Sequence, residues 1–327
     1  MREERIIYID YLKVMGLLLV ILAHVDCPKY IMQIRSFDVP LLVVLSGYLA
    51  SKTLKKGNNK KYYWKRIQRL AIPSWIFLIV FWGVQTLVYI KPSFIDMIKA
   101  ITFQRDANMV GMLWVIWVYL ICALLIPLIY RIGYSLKNNV VIILIFMIYE
   151  IICMMTNLST SRLVYITVFT IIPWGMLTYF SFYLDKITNR QKIIIIITGL
   201  IFFILYAIAL NVKNGTFVTT NNYKYPARLY YFVYAIPIVI LLIELLKKVQ
   251  LKSNSLISFI SSSSLWIYLW HILVLYVVKR IIVNDKLWII QYFAIVVIAS
   301  IVTYIQNGIA KYLITKYKIQ FLKILLG

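Results

Sequence analysis

The chain has 327 residues, 63% hydrophobic and only 14% charged, yet it carries a formal net charge of +24 and a pI near 9.8. A mean hydropathy of +0.86 is more apolar surface than one globular core of this size can hide, and it excludes disordered, linker-like and collagen-like chains. What remains is a polytopic membrane protein, whose basic excess reads as the positive-inside bias of cytoplasmic loops rather than a nucleic-acid footprint.

A helix needs about 20 apolar residues to cross the hydrocarbon core. Ten stretches approach or meet that length: 7–26, 38–54, 72–90, 112–130, 139–156, 162–184, 193–211, 229–246, 265–283 and 287–306. They run continuously rather than alternating, so the expected fold is an all-α bundle of about ten transmembrane helices and not a β-barrel. Asp38 and Pro40 blur the start of the second, and Pro173 is expected to kink the sixth. An even number of spans places both termini on one side. With the N-terminus inside, 22 of the 35 basic residues fall in inner segments, eight of them between Lys52 and Arg69. The expected topology is therefore N-in and C-in, and the expected location is the plasma membrane. Arg2 and Arg5 precede an apolar run as in a signal peptide, but no small-x-small cleavage site follows, so the first span is expected to be retained. Cys27, Cys122 and Cys153 have neither metal-ligand spacing nor a disulfide framework. The longest segments between spans, 91–111 and 212–228, are too short for a soluble catalytic domain, so chemistry is expected inside the bundle or at its mouths.

Ionisable residues inside a span are expensive and mark functional sites by default. The first span holds Asp10, Lys13 and His24. On one helix, eleven steps bring His24 within about 20° of Lys13 and roughly 16 Å further along the axis, while Asp10 lies one turn before Lys13. Lys13 alone also reads as a snorkelling interfacial residue. His24 is harder to assign to packing, because the chain has only 2 histidines, both in expected spans. Imidazole suits proton transfer near neutral pH, as a general base, and it can also carry an acyl group as a nucleophile. Glu150, in the fifth stretch, needs a partner, and His271, in the ninth, is either a substrate-lining donor or a packed residue. Ser46 and Tyr48 flank Gly47, which permits close helix approach.

In order along the chain, these residues resemble acyltransferase family 3. Ile9-Asp10-Tyr11-Leu12-Lys13, followed after ten intervening residues by His24, resembles the Arg/Lys-x10-His signature of that family. Pro40-Leu41-Leu42-Val43-Val44-Leu45-Ser46-Gly47-Tyr48 is similar to its Pro-Leu-Phe-Phe-x-x-Ser-Gly-Tyr/Phe segment, and Tyr63-Trp64-Lys65-Arg66-Ile67-Gln68-Arg69-Leu70 to its basic entry into the third helix. Leu113-Trp114 opens the fourth span in the same manner, and Ile267-Tyr268-Leu269-Trp270-His271 is similar to the Ile-Tyr-Leu-x-His block. Lys13 stands where Arg is commoner, Gln68 interrupts a usually denser basic run, and the second helix is aliphatic rather than Phe-rich.

The resemblance implies a single integral-membrane acyltransferase domain over 1–327, of the fucose 4-O-acetylase-like kind. Its acyl donor would be acetyl-CoA, without a metal, and its acceptor a hydroxyl of a capsule, exopolysaccharide or lipid-linked glycan. It implies His24, Lys13 and Asp10 as the catalytic set, and Lys65, Arg66 and Arg69 as the inner-mouth cations for the CoA phosphates. From its cost inside a span, Glu150 is expected to orient His24, to face a cavity lining the substrate path, or to pair structurally with a basic residue elsewhere; His271, Ser46 and Tyr48 either line that path or pack between helices. Lys65, Arg66 and Arg69 also read as ordinary positive-inside anchors. A flippase for lipid-linked sugars is the rival class, predicting repeat symmetry and discontinuous helices; a membrane-embedded sensor or scaffold is a third.

Overall fold

Once water is absent, a backbone satisfies its hydrogen bonds within a single segment only as a helix. The computed structural model of the chain has an α-helix in every one of the ten apolar stretches. Residues 6–54, 59–87, 92–155 and 167–326 are described. Arg2, Arg5, Lys55, Lys56, Lys91 and Arg162, the ends of the third and fifth stretches and the start of the sixth lie outside them. The helices are α1 (Ile7–Leu22), α2 (Lys29–Ile34), α3 (Asp38–Thr53), α4 (Asn59–Leu87), α5 (Phe94–Ile101), α6 (Trp114–Ile132) and α7 (Leu136–Met155). There follow α8 (Val168–Phe182), α9 (Asn189–Asn214), α10 (Leu229–Lys248), α11 (Ser255–Ser262), α12 (Ser264–Ile281) and α13 (Trp288–Tyr317). The extended pairing among the described residues is the isolated bridge between Lys224 and Ala227. Among the described residues, 8 helical segments are long and apolar enough to cross a membrane; α1, with 16 residues, and α8, with 15, are shorter. The protein is an all-α polytopic membrane protein.

The chain divides into two units, each assembled from separated stretches of sequence. The first comprises 1–27, 58–120 and 252–327, and so contains α1, α4, α5, the beginning of α6 and α11 to α13. Here α12 packs along α13: Trp270 Nε1 donates to Gln306 Oε1 at 2.7 Å, and Asn307 Nδ2 to Ser263 Oγ at 2.9 Å. The segment Gln320–Leu326 is fixed by its own carbonyls, which accept from Trp266 Nε1 and Gln306 Nε2. Such interhelical bonds contribute only about 0.6 kcal/mol each in lipid, but they satisfy groups that acyl chains cannot.

The second unit comprises 28–57 and 121–251, with α2, α3, the remainder of α6 and α7 to α10. Helices α3 and α8 meet at Gly47, where a Cβ would stand 2.0 Å from Ser181 Oγ and 3.0 Å from Ser181 Cβ, so a larger residue requires Ser181 to move. Between α9 and α10 the contact is aromatic: Phe203 packs on Tyr234 and Tyr230, with centroids 4.9 and 5.6 Å apart, and Tyr206 on Tyr230 at 5.0 Å. The rest of α9 exposes Ile193, Ile197, Ile201 and Ile208, a surface compatible with lipid and not with water.

Candidate functional site

The site grows from the start of α1. Asp10 lies in the first turn, where the helix dipole favours a carboxylate. It is buried and accepts a hydrogen bond from Ser261 Oγ of α11 at 2.5 Å. Lys13 follows on the same helix and is half-buried. The expected helix over 7–26 stops at Leu22. The His24 amide bonds back to Ile21 O at 3.0 Å, an i to i−3 closure that tightens the chain, and Pro28 ahead disfavours helix at Cys27. His24 therefore sits, half-buried, in the turn that closes α1 rather than on a straight stripe with Lys13. Two residues on, Asp26 pairs with Lys279 Nζ at 2.7 Å, which ties this turn to the last turn of α12.

The other histidine faces it. His271 of α12 is completely buried, and its ring stacks on that of His24 with centroids 5.4 Å apart and planes inclined by 30°. His271 Nδ1 meets the Tyr268 carbonyl. A carbonyl only accepts, so Nδ1 carries the proton and Nε2 the lone pair. That Nε2 has no hydrogen-bond partner among the described residues. Tyr268 is itself held by its hydroxyl, which donates to Met112 O. Two imidazoles from opposite ends of the sequence thus lie together in one unit, one half-buried and one completely buried.

In the same unit, Lys65 and Arg69 stand exposed one turn apart on α4, and Arg66 lies over the Tyr62 ring at 5.0 Å. Their spacing places three cations on the first turns of one helix, a charge set suited to phosphate.

The remaining expected residues belong to the second unit. Ser46 is half-buried on α3 beside Gly47, and Tyr48 has Lys52 and Lys247 at 5.2 and 5.8 Å from its ring. Glu150 is buried; it accepts from Arg228 Nε at 3.0 Å and Nη2 at 2.9 Å, and from the Leu229 amide at the start of α10. Its partner is thus a basic residue and a helix N-terminus.

Sequence reasoning missed a buried cluster in that unit. Asp38 Oδ2 accepts from Arg35 Nη1 at 2.5 Å, and its Oδ1 stands 3.4 Å from Lys224 Nζ and accepts from the Val39 amide. The charge of Asp38 at the head of an apolar helix was a signal; its cation 186 residues away was not readable from the sequence.

Taken together, the apolar helices and the paired histidines among them define an integral-membrane protein with acid–base groups held inside the protein. A family model described as an acyltransferase domain, that of acyltransferase family 3, matches residues 6–306. The chain belongs to that family and is a multi-pass membrane acyltransferase. No curated protein and no solved structure matches it significantly.

Proposed function

We propose that the protein moves an acetyl group from acetyl-CoA to a hydroxyl of a cell-surface or lipid-linked polysaccharide, at the plasma membrane, with His24 as the general base. The observation that carries this reading is the His24–His271 pair: the chain's two histidines converge, and only His24 is open enough to meet a substrate. His24 takes the proton of the acceptor hydroxyl, and the oxygen attacks the thioester carbonyl. A C–O bond forms, the C–S bond breaks, and the proton passes to the departing CoA sulfur. Lys65, Arg66 and Arg69 hold the phosphates of the donor by charge-assisted hydrogen bonds. Lys13 supplies positive charge on the same helix, and Asp10, bonded to Ser261, fixes the start of that helix. His271 touches the ring of His24 and positions it.

The test is transfer of radiolabelled acetyl from acetyl-CoA to polysaccharide by the purified protein in nanodiscs, together with the O-acetyl content of surface glycan in a complemented deletion strain. His24→Ala is expected to lower transfer by at least about a hundredfold, the usual contribution of a general base. Full transfer by His24→Ala refutes the assignment.

A further inference from the structure

We infer that the connection 215–228 of the second unit forms a cleft that binds a neutral, hydroxyl-rich pyranose, a site that the acyl-transfer chemistry at the histidines does not use. Its biological meaning rests on the glycan-acceptor reading above. The cleft has a volume of about 510 Å³, inside the roughly 300–1,000 Å³ of small-molecule sites. Six of its eight lining residues, Asn214, Thr216, Asn222, Tyr223, Tyr225 and Arg228, carry a side-chain hydrogen-bond donor or acceptor, and the other two are Val218 and Pro226, a lining that fits hydroxyls better than acyl chains.

The charge of the lining decides the class of sugar. Arg228 is the cation among these residues, and Glu150 takes it through both Nε and Nη2, at 3.0 and 2.9 Å. The pair is close to neutral, so a sugar carboxylate would meet a guanidinium already occupied. What Arg228 retains is a fixed plane, 5.5 Å over the Tyr223 ring. Tyr223 is in turn set edge-on to Tyr230 at 5.2 Å and close to Tyr206 at 6.3 Å. Two tyrosines with two carboxamides supply apolar faces for the C–H side of a pyranose and paired donors and acceptors for its hydroxyls.

The second observation is rigidity. This connection carries no regular structure beyond the single turn Thr220–Tyr223 and the isolated bridge Lys224–Ala227, and loops of such length are uncommon unless they have a function. It is nonetheless fastened from beneath. Gln33 Oε1 accepts from the Thr220 amide at 2.9 Å and hydroxyl at 3.2 Å; Lys224 is buried against Asp38; and the Tyr149 and Tyr230 hydroxyls donate to Ala227 O and Val218 O, each at 3.0 Å. Buried ion pairs are costly to make. Here they fix the floor of a polar surface, which is preorganisation of the kind that lowers the cost of binding.

The test is saturation-transfer NMR on the full-length protein in nanodiscs, with methyl β-D-glucopyranoside, methyl β-D-galactopyranoside and methyl β-D-glucuronide as probes. At least one neutral glycoside is expected to bind, with Asn222→Ala and Tyr225→Ala each weakening it about tenfold, as loss of one contact does. Asn222 and Thr216 are exposed, so Asn222→Ala and Thr216→Val leave the anchors of the loop intact. No saturation transfer to any probe, transfer insensitive to all three variants, or preference for the glucuronide overturns the inference. The assay contains no acyl donor. Variant-sensitive binding without acetyl transfer by the wild type would defeat the acyltransfer proposal and leave the cleft standing; transfer without such binding would do the reverse.

Discussion

The Arg35–Asp38–Lys224 cluster permits a prediction whose two arms have different signs. The side chains of Arg35, Asp38 and Lys224 are 3%, 1% and 4% exposed. Asp38→Ala leaves two buried cations without their carboxylate, and breaking such a cluster from one side costs about 3–5 kcal/mol. Lys224→Met removes a charge that the fold holds at a cost. Lys224 lies between α9 and α10, and burial, only partly offset by Asp38, lowers its pKa from the ordinary 10.5 to about 8. At 1.36 kcal/mol per pKa unit, that depression is a penalty of about 3 kcal/mol carried by the folded state at neutral pH. Asp38 keeps Arg35 in the Met variant, so this substitution is expected to be neutral or stabilising by about 1–3 kcal/mol.

The assay is thermal unfolding of the purified protein followed by tryptophan fluorescence. At roughly 2 °C per kcal/mol for a chain of this size, Asp38→Ala lowers the midpoint by about 6–10 °C, and Lys224→Met leaves or raises it. The pH dependence has a fixed sign. Between about pH 8 and 10.5 the unfolded chain still holds the proton that folded Lys224 has released, so stability rises with pH across that window and is flat below it. Lys224→Met abolishes the rise. Equal destabilisation by both variants, or a stability that falls between pH 8 and 10.5 in the wild type alone, refutes the reasoning.

His271→Ala is expected to lower kcat by about ten- to a hundredfold with the KM for acetyl-CoA unchanged, and to move the acid limb of the kcat–pH profile through His24; an unmoved profile assigns His271 to packing alone. Gly47→Ala is expected to destabilise the protein by about 1–3 kcal/mol, since its Cβ would stand 2.0 Å from Ser181 Oγ. Adding Ser181→Gly to the same chain is expected to restore most of that loss in the same thermal assay, and failure to do so refutes the close-approach argument.

The parts of this molecule legible in its sequence are those set by local physics. Every apolar stretch is helical because hydropathy and the need for internal hydrogen bonds act within one segment. The end of α1 was misplaced by four residues, since Val25 continues the apolar run and the hydropathy alone hides the turn closed by His24. Lys13 and His24 were visible as a spacing, and the need of Glu150 for a partner was visible as a cost. Arg228 as that partner, Ser261 as the partner of Asp10 and Lys224 as the partner of Asp38 depend on which helices and loops pack together. Within the serine run Ser261–Ser264, Ser261 and Ser263 each satisfy a buried group on another helix. Nothing in their local sequence distinguishes them from filler.

What separates the histidine pair from the other buried polar groups is the chemistry left open. The Asp38 cluster and the Glu150–Arg228 pair are closed by their own partners and act as struts. Several amides keep an unpartnered atom among the described residues, but Gln33, Gln85, Gln291 and Asn307 are each bonded through the other half of the same group. An amide cannot take up a proton near neutral pH, so such a half-satisfied group contributes cost and no reactivity. His271 Nε2 is an unpartnered lone pair on a group that can. It lies beside the more accessible ring of His24. A membrane interior penalises an open acceptor more heavily than an aqueous one does, and the proposed proton chemistry at His24 gives that acceptor a use which an aliphatic side chain in its place could not supply.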